Sequence, residues 1–358
     1  MKIAAVVGAR PQFIKAAVVS REIRKNAKVK EVIIHTGQHY DENMSRIFFD
    51  ELGIPHPDYN LGICGGTHGE NTGRMIESIE KVLLKEKPDM VLIYGDTDST
   101  LAGFLATVKL YIPVAHIEAG LRSFNRKMPE EINRIITDHA SDLLFAPTET
   151  AVRNLLNEKI DKDRVKLVGD VMFDAAIYYG KNVEERSKIL SRLDLKPKEY
   201  MLLTVHRAEN TNEDNLERLK NILQGIADIS KDTSVIFPIH PRTKKIIEKI
   251  DLNLQNIKAI GPVGYIDMIN LEKNAKLIAT DSGGIQKEAY FHKVPCIILR
   301  DETEWVELAE NAFAVLTGAE KEKITDAFRN FKFNDNYDTA KFYGDGKAGE
   351  KIAEIVLK

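Results

Sequence analysis

Short runs of β-branched and aliphatic residues recur along this chain, and each is followed by a longer stretch with helical periodicity. Consecutive strands that pair in parallel need a crossover of about a dozen residues or more, usually a helix, so the alternation confines the chain to parallel α/β architecture. The first half carries the runs Lys2–Val7, Val32–His35, Met90–Tyr94, Val114–Ile117, Leu143–Ala146 and Val165–Val168. The second half repeats the plan with Met201–Val205, Val235–Ile239, Ile257–Ile260, Leu277–Thr280, Cys296–Leu299 and Ala314–Leu316. Between them the pattern lapses into a helical, charge-rich stretch, VEERSKILSRLDLKPKE. The spacing predicts two doubly wound, Rossmann-like domains facing across a cleft, 1–169 and 170–342, and a terminal helix within 343–358 that packs back toward the first.

Lysine and arginine number 51 against 54 aspartate and glutamate, for a net charge of -3, and both signs are scattered. No basic arm or acidic tail invites nucleic acid or a membrane surface. No apolar run reaches the roughly 18 residues of a membrane span, and MKIAAVVGARPQ has too short an apolar stretch before Arg10 for a signal peptide. A cytoplasmic protein is expected. Cys64 and Cys296 stand far apart without CxxC spacing, so buried reduced thiols are expected rather than a disulfide or a zinc site.

In open α/β sheets, ligands bind beyond the carboxyl ends of the strands. There the chain places Gly8-Ala9-Arg10-Pro11-Gln12, Gly95-Asp96-Thr97-Asp98-Ser99, Glu118-Ala119-Gly120-Leu121-Arg122, His206-Arg207-Ala208-Glu209-Asn210, His240-Pro241-Arg242 and Asp281-Ser282-Gly283-Gly284. In the last of these, the glycines admit a ligand close to the backbone and a helix start attracts anions, which suits a phosphate. An ordinary strand-to-helix turn with Ser282 as N-cap reads equally from the same residues. Glu288, four residues on, is within reach of a ribose hydroxyl pair. Neither GxGxxG nor a Walker-type GxxxxGK is present, which argues against a standard nicotinamide fingerprint or a P-loop ATPase.

Arg10 and Lys15, about one helical turn apart, could neutralise a diphosphate or be two surface cations, each in an ordinary salt bridge. His206 and Arg207 close an apolar run, which turns at least one of them toward the cleft in a catalytic or leaving-group role. His240 contacts a phosphate or holds the turn before Pro241. Pro129 suits the first turn of a helix, so PEEINRIITDHA sets Glu130 and Arg134 four apart on one face, as a solvated ion-pair stripe or part of a catalytic array. Glu118 ends a buried-looking strand, and with Asp96 and Glu130 it could divide general acid and base work between two faces of a substrate. His35 and His39 leave a strand through a glycine and do not share a helix face, and no other His or Cys spacing suits a metal, so none is expected.

These blocks together resemble the non-hydrolysing UDP-N-acetylglucosamine 2-epimerases. The matching segments are GARPQFIKAA (8–17), TGQH (36–39), GDTDSTLAG (95–103), HIEAGLRS (116–123), PEEINRIITDHASDLLFAPTE (129–149), VGDVMFDA (168–175), VHRAEN (205–210), PIHPRT (238–243) and DSGGIQKEA (281–289). The resemblance implies a GT-B-type glycosyltransferase fold, no cofactor or metal, a UDP-sugar substrate and a homodimer. The implied reaction inverts C2 of UDP-N-acetylglucosamine by anti elimination of UDP to 2-acetamidoglucal and re-addition. By the same resemblance, Asp96, Glu118, Glu130, Arg134 and His206 are catalytic. Arg10, Lys15, Arg207, His240, Ser282, Gly283, Gly284 and Glu288 bind UDP, and Tyr265 falls where members set a residue against uracil, though a core tyrosine fits there as well. Gln38 and His39 are the positions that would meet an effector nucleotide sugar.

Two positions depart from the family pattern. Met128 precedes the PEE triplet where many bacterial members have Trp, and Ser45 stands where effector-activated members carry glutamine. A hydrolysing epimerase, a retaining glycosyltransferase and a non-catalytic nucleotide-sugar sensor are the rival readings. The joint presence of Asp96, Glu118, Glu130 and His206 speaks against the sensor, which has no need of acid and base groups.

Overall fold

Strands β1 (Lys2–Val7) and β4 (Met90–Tyr94) lie side by side in a seven-stranded sheet, and every residue from Ile3 to Val6 and from Val91 to Tyr94 is buried. Their unbroken apolar runs are those of parallel strands covered on both faces, where each buried Val or Ile stabilises by about 1.5–3 kcal/mol. The computed structural model describes residues 1–38, 51–248, 256–334 and 336–358. The expected doubly wound plan holds in both halves.

The first sheet runs β3-β2-β1-β4-β5-β6-β7, with β2 Lys30–His35, β3 Tyr59–Asn60, β5 Val114–Ile117, β6 Leu143–Ala146 and β7 Val165–Leu167. The second runs β10-β9-β8-β11-β12-β13, from β8 Tyr200–Thr204, β9 Ser234–Pro238, β10 Ile257–Ile260, β11 Leu277–Thr280, β12 Cys296–Ile298 and β13 Ala314–Leu316. Every pairing in both sheets is parallel. Strand β3 is the element the sequence does not announce: it is two residues long, at the sheet edge, and too short to show a period.

In each sheet the order reverses at one place, between β1 and β4 in the first and between β8 and β11 in the second. The loops that diverge from such a reversal leave a crevice at the carboxyl ends of the strands. Gly8–Arg10 and Gly95–Asp98 leave the first reversal, and Val205–Arg207 and Asp281–Gly284 leave the second. Topology therefore gathers the polar segments.

The chain divides into two compact units, residues 1–175 with 340–358 and residues 176–339. The first division lies a few residues beyond 169 because the helix Val171–Gly180 carries the chain across it. In the first unit the helix Ala348–Val356 packs on the helix Arg10–Ile23, where a Cβ on Gly349 would meet Val18 Cγ1 at 2.6 Å. Among the described residues, no helix is long and apolar enough to cross a membrane, and no group of three His, Cys, Asp or Glu could hold a metal ion.

Candidate active site

The turn after β1 is tied down by Gln12. Its side-chain oxygen accepts from the amides of Gly8 at 2.8 Å and Ala9 at 3.0 Å, while its amide nitrogen donates to the Tyr94 carbonyl and the Thr100 hydroxyl. The loops that follow β1 and β4 are thereby joined across the first reversal. Arg10, half-buried, opens the helix that Pro11 favours at its start. Lys15 is buried and its ammonium forms an ion pair with Glu118, so it serves a buried carboxylate 103 residues away rather than a salt bridge at the surface.

Glu118 has φ +73°, a left-handed conformation unusual for a residue with a Cβ, and it is only 8% exposed. Such strain persists only where the surroundings over-determine it, and it gathers at functional sites. Gly95, at φ +64°, packs against the same ion pair: a Cβ there would stand 3.0 Å from Lys15 Nζ and 3.4 Å from Glu118 Oε2.

Asp96 is gripped by Arg134, whose Nε and Nη2 donate to Oδ2 at 2.9 and 2.7 Å, and Asn133 Nδ2 donates to the Asp96 carbonyl at 2.9 Å. The remaining arm of Arg134, Nη1, donates to Glu131 Oε2 at 2.8 Å. Glu131 is almost fully buried and also accepts from the amides of Ser123 and Phe124. Arg134 thus meets a carboxylate three residues before it, and Glu130 lies half-buried in the first turn of the same helix, Pro129–Ala140.

A second layer lies behind these groups, and sequence reasoning passed over it. His116 is fully buried in β5, with Nδ1 at 2.7 Å from Asp138 Oδ1 and Nε2 at 2.7 Å from the Gly95 carbonyl. Asp138 Oδ2 accepts from the Gly120 amide at 3.1 Å and from Arg122 Nη1 at 2.7 Å, and Arg122 makes a bidentate pair with Glu158. Burial pushes the Asp138 carboxyl up, but His116 and Arg122 outweigh it and hold the group below the usual range. A carbonyl can only accept, so the contact with Gly95 is one that His116 Nε2 donates. One signal was available: His116 is a polar residue inside the apolar run that leads into Glu118.

In the second unit, Asp281 organises the loop after β8. Fully buried, it accepts from the backbone amides of His206 and Arg207 and from Asn210 Nδ2, all at 3.0 to 3.1 Å. His206 keeps 44% of its side chain exposed and lies with ring centroid 6.3 Å from that of His240. Ser282 occupies the N-cap of the helix Gly283–Phe291, yet its hydroxyl makes no capping bond. The ordinary explanation of this serine is therefore missing. Above the helix start, Arg207 reaches Glu304 at 3.5 Å, and Glu304 in turn accepts from the buried Arg300 at 2.7 Å.

Glu288 is buried on that helix, and its charge helps raise the Tyr265 hydroxyl, after burial itself, well above its ordinary range. Tyr265 is 2% exposed with its ring edge-on to Tyr179 at 5.7 Å. Of the two readings open for Tyr265, this burial favours the core tyrosine, with its hydroxyl beside Glu288. Gln38 accepts from Ser99 Oγ at 2.6 Å, and His39 and Ser45 lie outside the described residues.

The two units thus carry different chemistry. The first presents carboxylates each held by a cation, and the second presents histidines, an arginine and a glycine-rich helix start suited to a phosphate. The family model of UDP-N-acetylglucosamine 2-epimerase matches residues 21–357, and the chain belongs to that family. A UDP-N-acetylglucosamine 2-epimerase homolog of Methanococcus maripaludis is 55% identical over 363 residues, covering 99% of both chains. The UDP-2,3-diacetamido-2,3-dideoxy-D-glucuronate 2-epimerase of Pseudomonas aeruginosa is 50% identical over the full length of both. The crystal structure of the Methanocaldococcus jannaschii UDP-GlcNAc 2-epimerase, in complex with UDP-GlcNAc and UDP, superposes with a TM-score of 0.93 at 49% identity, covering 100% of this chain and 99% of that one. The chain shares its GT-B-like α/β fold.

Proposed function

We propose that the protein inverts C2 of a UDP-2-acetamido sugar reversibly and without hydrolysis, with UDP-N-acetylglucosamine as substrate and UDP-N-acetylmannosamine as product. The observation that carries this reading is the pair of cation-held carboxylates, Asp96 and Glu118, at the ends of the neighbouring strands β4 and β5. H2 is not acidic, because C2 bears an acetamido group and no carbonyl stands beside it. Cleavage of C1–O therefore leads, its electron pair departing on UDP, and positive charge at C1 makes H2 labile. A base takes H2 as a proton while the C1–C2 double bond forms, giving 2-acetamidoglucal. UDP then adds back at C1 as an acid delivers a proton to the opposite face of C2.

Asp96, Glu118 and Glu130 supply the base and acid, with Arg134 as their partner. The departing diphosphate falls to Arg10, Arg207, His206, His240 and the Ser282–Gly284 helix start, which stabilise the leaving anion, and Glu288 takes the ribose. Nucleotide binding is thus assigned to the second unit, apart from Arg10, and the chemistry at C2 to the first. The enzyme is proposed to act as a cytoplasmic homodimer without a cofactor.

A second substrate is favoured by one observation, the 50% identity to an epimerase named for UDP-2,3-diacetamido-2,3-dideoxy-D-glucuronate. Proton NMR in deuterated water, without metal or nicotinamide, separates these readings when both nucleotide sugars are supplied. Deuterium at C2 with the 2-epimer accumulating supports the proposal, and the better substrate names the specificity. Free N-acetylmannosamine plus UDP identifies a hydrolysing enzyme instead, and an unchanged spectrum with both sugars overturns the reading.

A further inference from the structure

The His116–Asp138 pair lies outside every role so far assigned, yet it touches both loops that carry the carboxylates. Nε2 of His116 holds the Gly95 carbonyl at 2.7 Å, one residue before Asp96. The amide of Gly95 donates in turn to the carbonyl of Ile117, one residue before Glu118. Asp138 holds the Gly120 amide at 3.1 Å, two residues after Glu118. The Gly95 peptide is therefore clamped from both ends, and the strained turn at Glu118 is pinned on its far side. All of this is buried, since His116 and Asp138 are both 0% exposed. Buried polar groups are costly to leave unmade, so each bond constrains strongly.

We propose that His116 and Asp138 form a positioning unit that fixes the separation of Asp96 and Glu118 by clamping the Gly95 carbonyl and the Gly120 amide. The inference rests on the assignment of Asp96 and Glu118 to the chemistry at C2. Elimination and re-addition require groups on two faces of one carbon, so a small drift of one loop against the other weakens catalysis more than binding. Displacements of about 1 Å at a reacting centre cost on the order of a hundredfold in rate. Nucleotide affinity, assigned chiefly to the other unit, is left alone.

Two half-mimics of the ring dissect the contact. Asparagine reproduces the Nδ1 position and keeps the bond to Asp138, while glutamine reproduces the Nε2 position and keeps the bond to the Gly95 carbonyl. His116→Asn is expected to lower kcat by about tenfold to a hundredfold with KM and UDP affinity within about twofold of wild type. His116→Gln is expected to retain kcat within about fivefold. Asp138→Asn reports the other clamp and should lower kcat without raising KM. Equal losses in the Asn and Gln variants, a loss that appears in KM, or wild-type kcat in both overturns the positioning role. Should the variants unfold, comparing the two mimics at a temperature below their melting transitions still ranks them, and a ranking with Asn above Gln also overturns it. An inactive wild-type enzyme under the same NMR assay would instead fault the assigned reaction.

Discussion

Arg134 sets two guanidinium nitrogens, Nε at 2.9 Å and Nη2 at 2.7 Å, on a single oxygen of Asp96 while its third reaches Glu131 at 2.8 Å. One cation thus holds the Asp96 carboxylate, the Ser123–Phe124 turn and the start of its own helix in one arrangement. Its side chain and that of Glu131 are 3% and 2% exposed, so removing the arginine strands a buried carboxylate. Arg134→Ala should destabilise by about 3–5 kcal/mol, the usual scale for breaking a buried pair, and should lower turnover by about a hundredfold. Arg134→Lys, a point charge unable to bridge both acids, should fall between. Urea unfolding and the NMR turnover assay read the two effects, and a wild-type rate in Arg134→Ala would remove the residue from the site.

Lys15 and Glu118 make a second test, in which stability and activity should part. Breaking the buried pair with Lys15→Met alone leaves Glu118 uncompensated and should cost about 3–5 kcal/mol, whereas Lys15→Met with Glu118→Gln should cost less than that single change. Activity should behave otherwise: the double variant should be at least about a hundredfold slow, as should Asp96→Asn, Glu118→Gln and Glu130→Gln singly, with UDP binding retained. Wild-type turnover in all three single carboxylate variants would sink the proposed chemistry.

The parts of this arrangement that were legible in the sequence are those with a local signature. Parallel strands buried on both faces print as unbroken apolar runs, and their carboxyl ends locate the loops that bear Asp96, Glu118, His206 and Ser282. Partners are less legible, because they depend on register and topology. Nothing local joins Lys15 to Glu118 or His116 to Asp138; each pair meets only because the sheet order brings β1, β4 and β5 together. Helical spacing pointed to Glu130 for Arg134, whereas the guanidinium meets Glu131 at three residues and Asp96 in the loop after β4. Tyr265 is an aromatic whose burial decides its role, and burial of one side chain at a helix start does not print in its neighbours.

Asp174 gives a pH test independent of catalysis. Burial pushes its carboxyl up to about 6 from an ordinary 3.8; the Gly349 and Ala348 amides pull it back down, and nearby Asp170 adds to the rise. Between pH 4 and 6 the folded protein therefore keeps a proton that the unfolded chain has lost, so stability contributed by this group falls as pH rises through that window, by about 2–3 kcal/mol. Asp174→Asn keeps an acceptor for the Gly349 amide, which now donates at 2.8 Å, and cannot ionise. The variant should match wild type near pH 4 and be more stable at pH 7.5. Parallel urea midpoints for the two proteins across this range would contradict the assignment.

Gly283 and Gly284 begin a helix without being needed for its packing. The nearest atoms to a Cβ on Gly283 are Trp305 Nε1 at 3.5 Å, Arg207 Nη2 at 3.7 Å and Glu304 Oε2 at 3.9 Å, ordinary contacts, and on Gly284 only Ser282 Oγ at 3.9 Å. Neither glycine has the positive φ that would exclude alanine. Within a helix, alanine is favoured over glycine by about 0.5–1 kcal/mol, so the fold alone gives no reason for the pair. A ligand does give one, because a phosphate that approaches the amides at a helix start needs the space a methyl group would fill. Gly283→Ala and Gly284→Ala are expected to melt at or above the wild-type temperature while binding UDP about tenfold or more weakly by calorimetry. Full UDP affinity in both variants would move the diphosphate away from this helix, and a lowered melting temperature would return the glycines to a structural role.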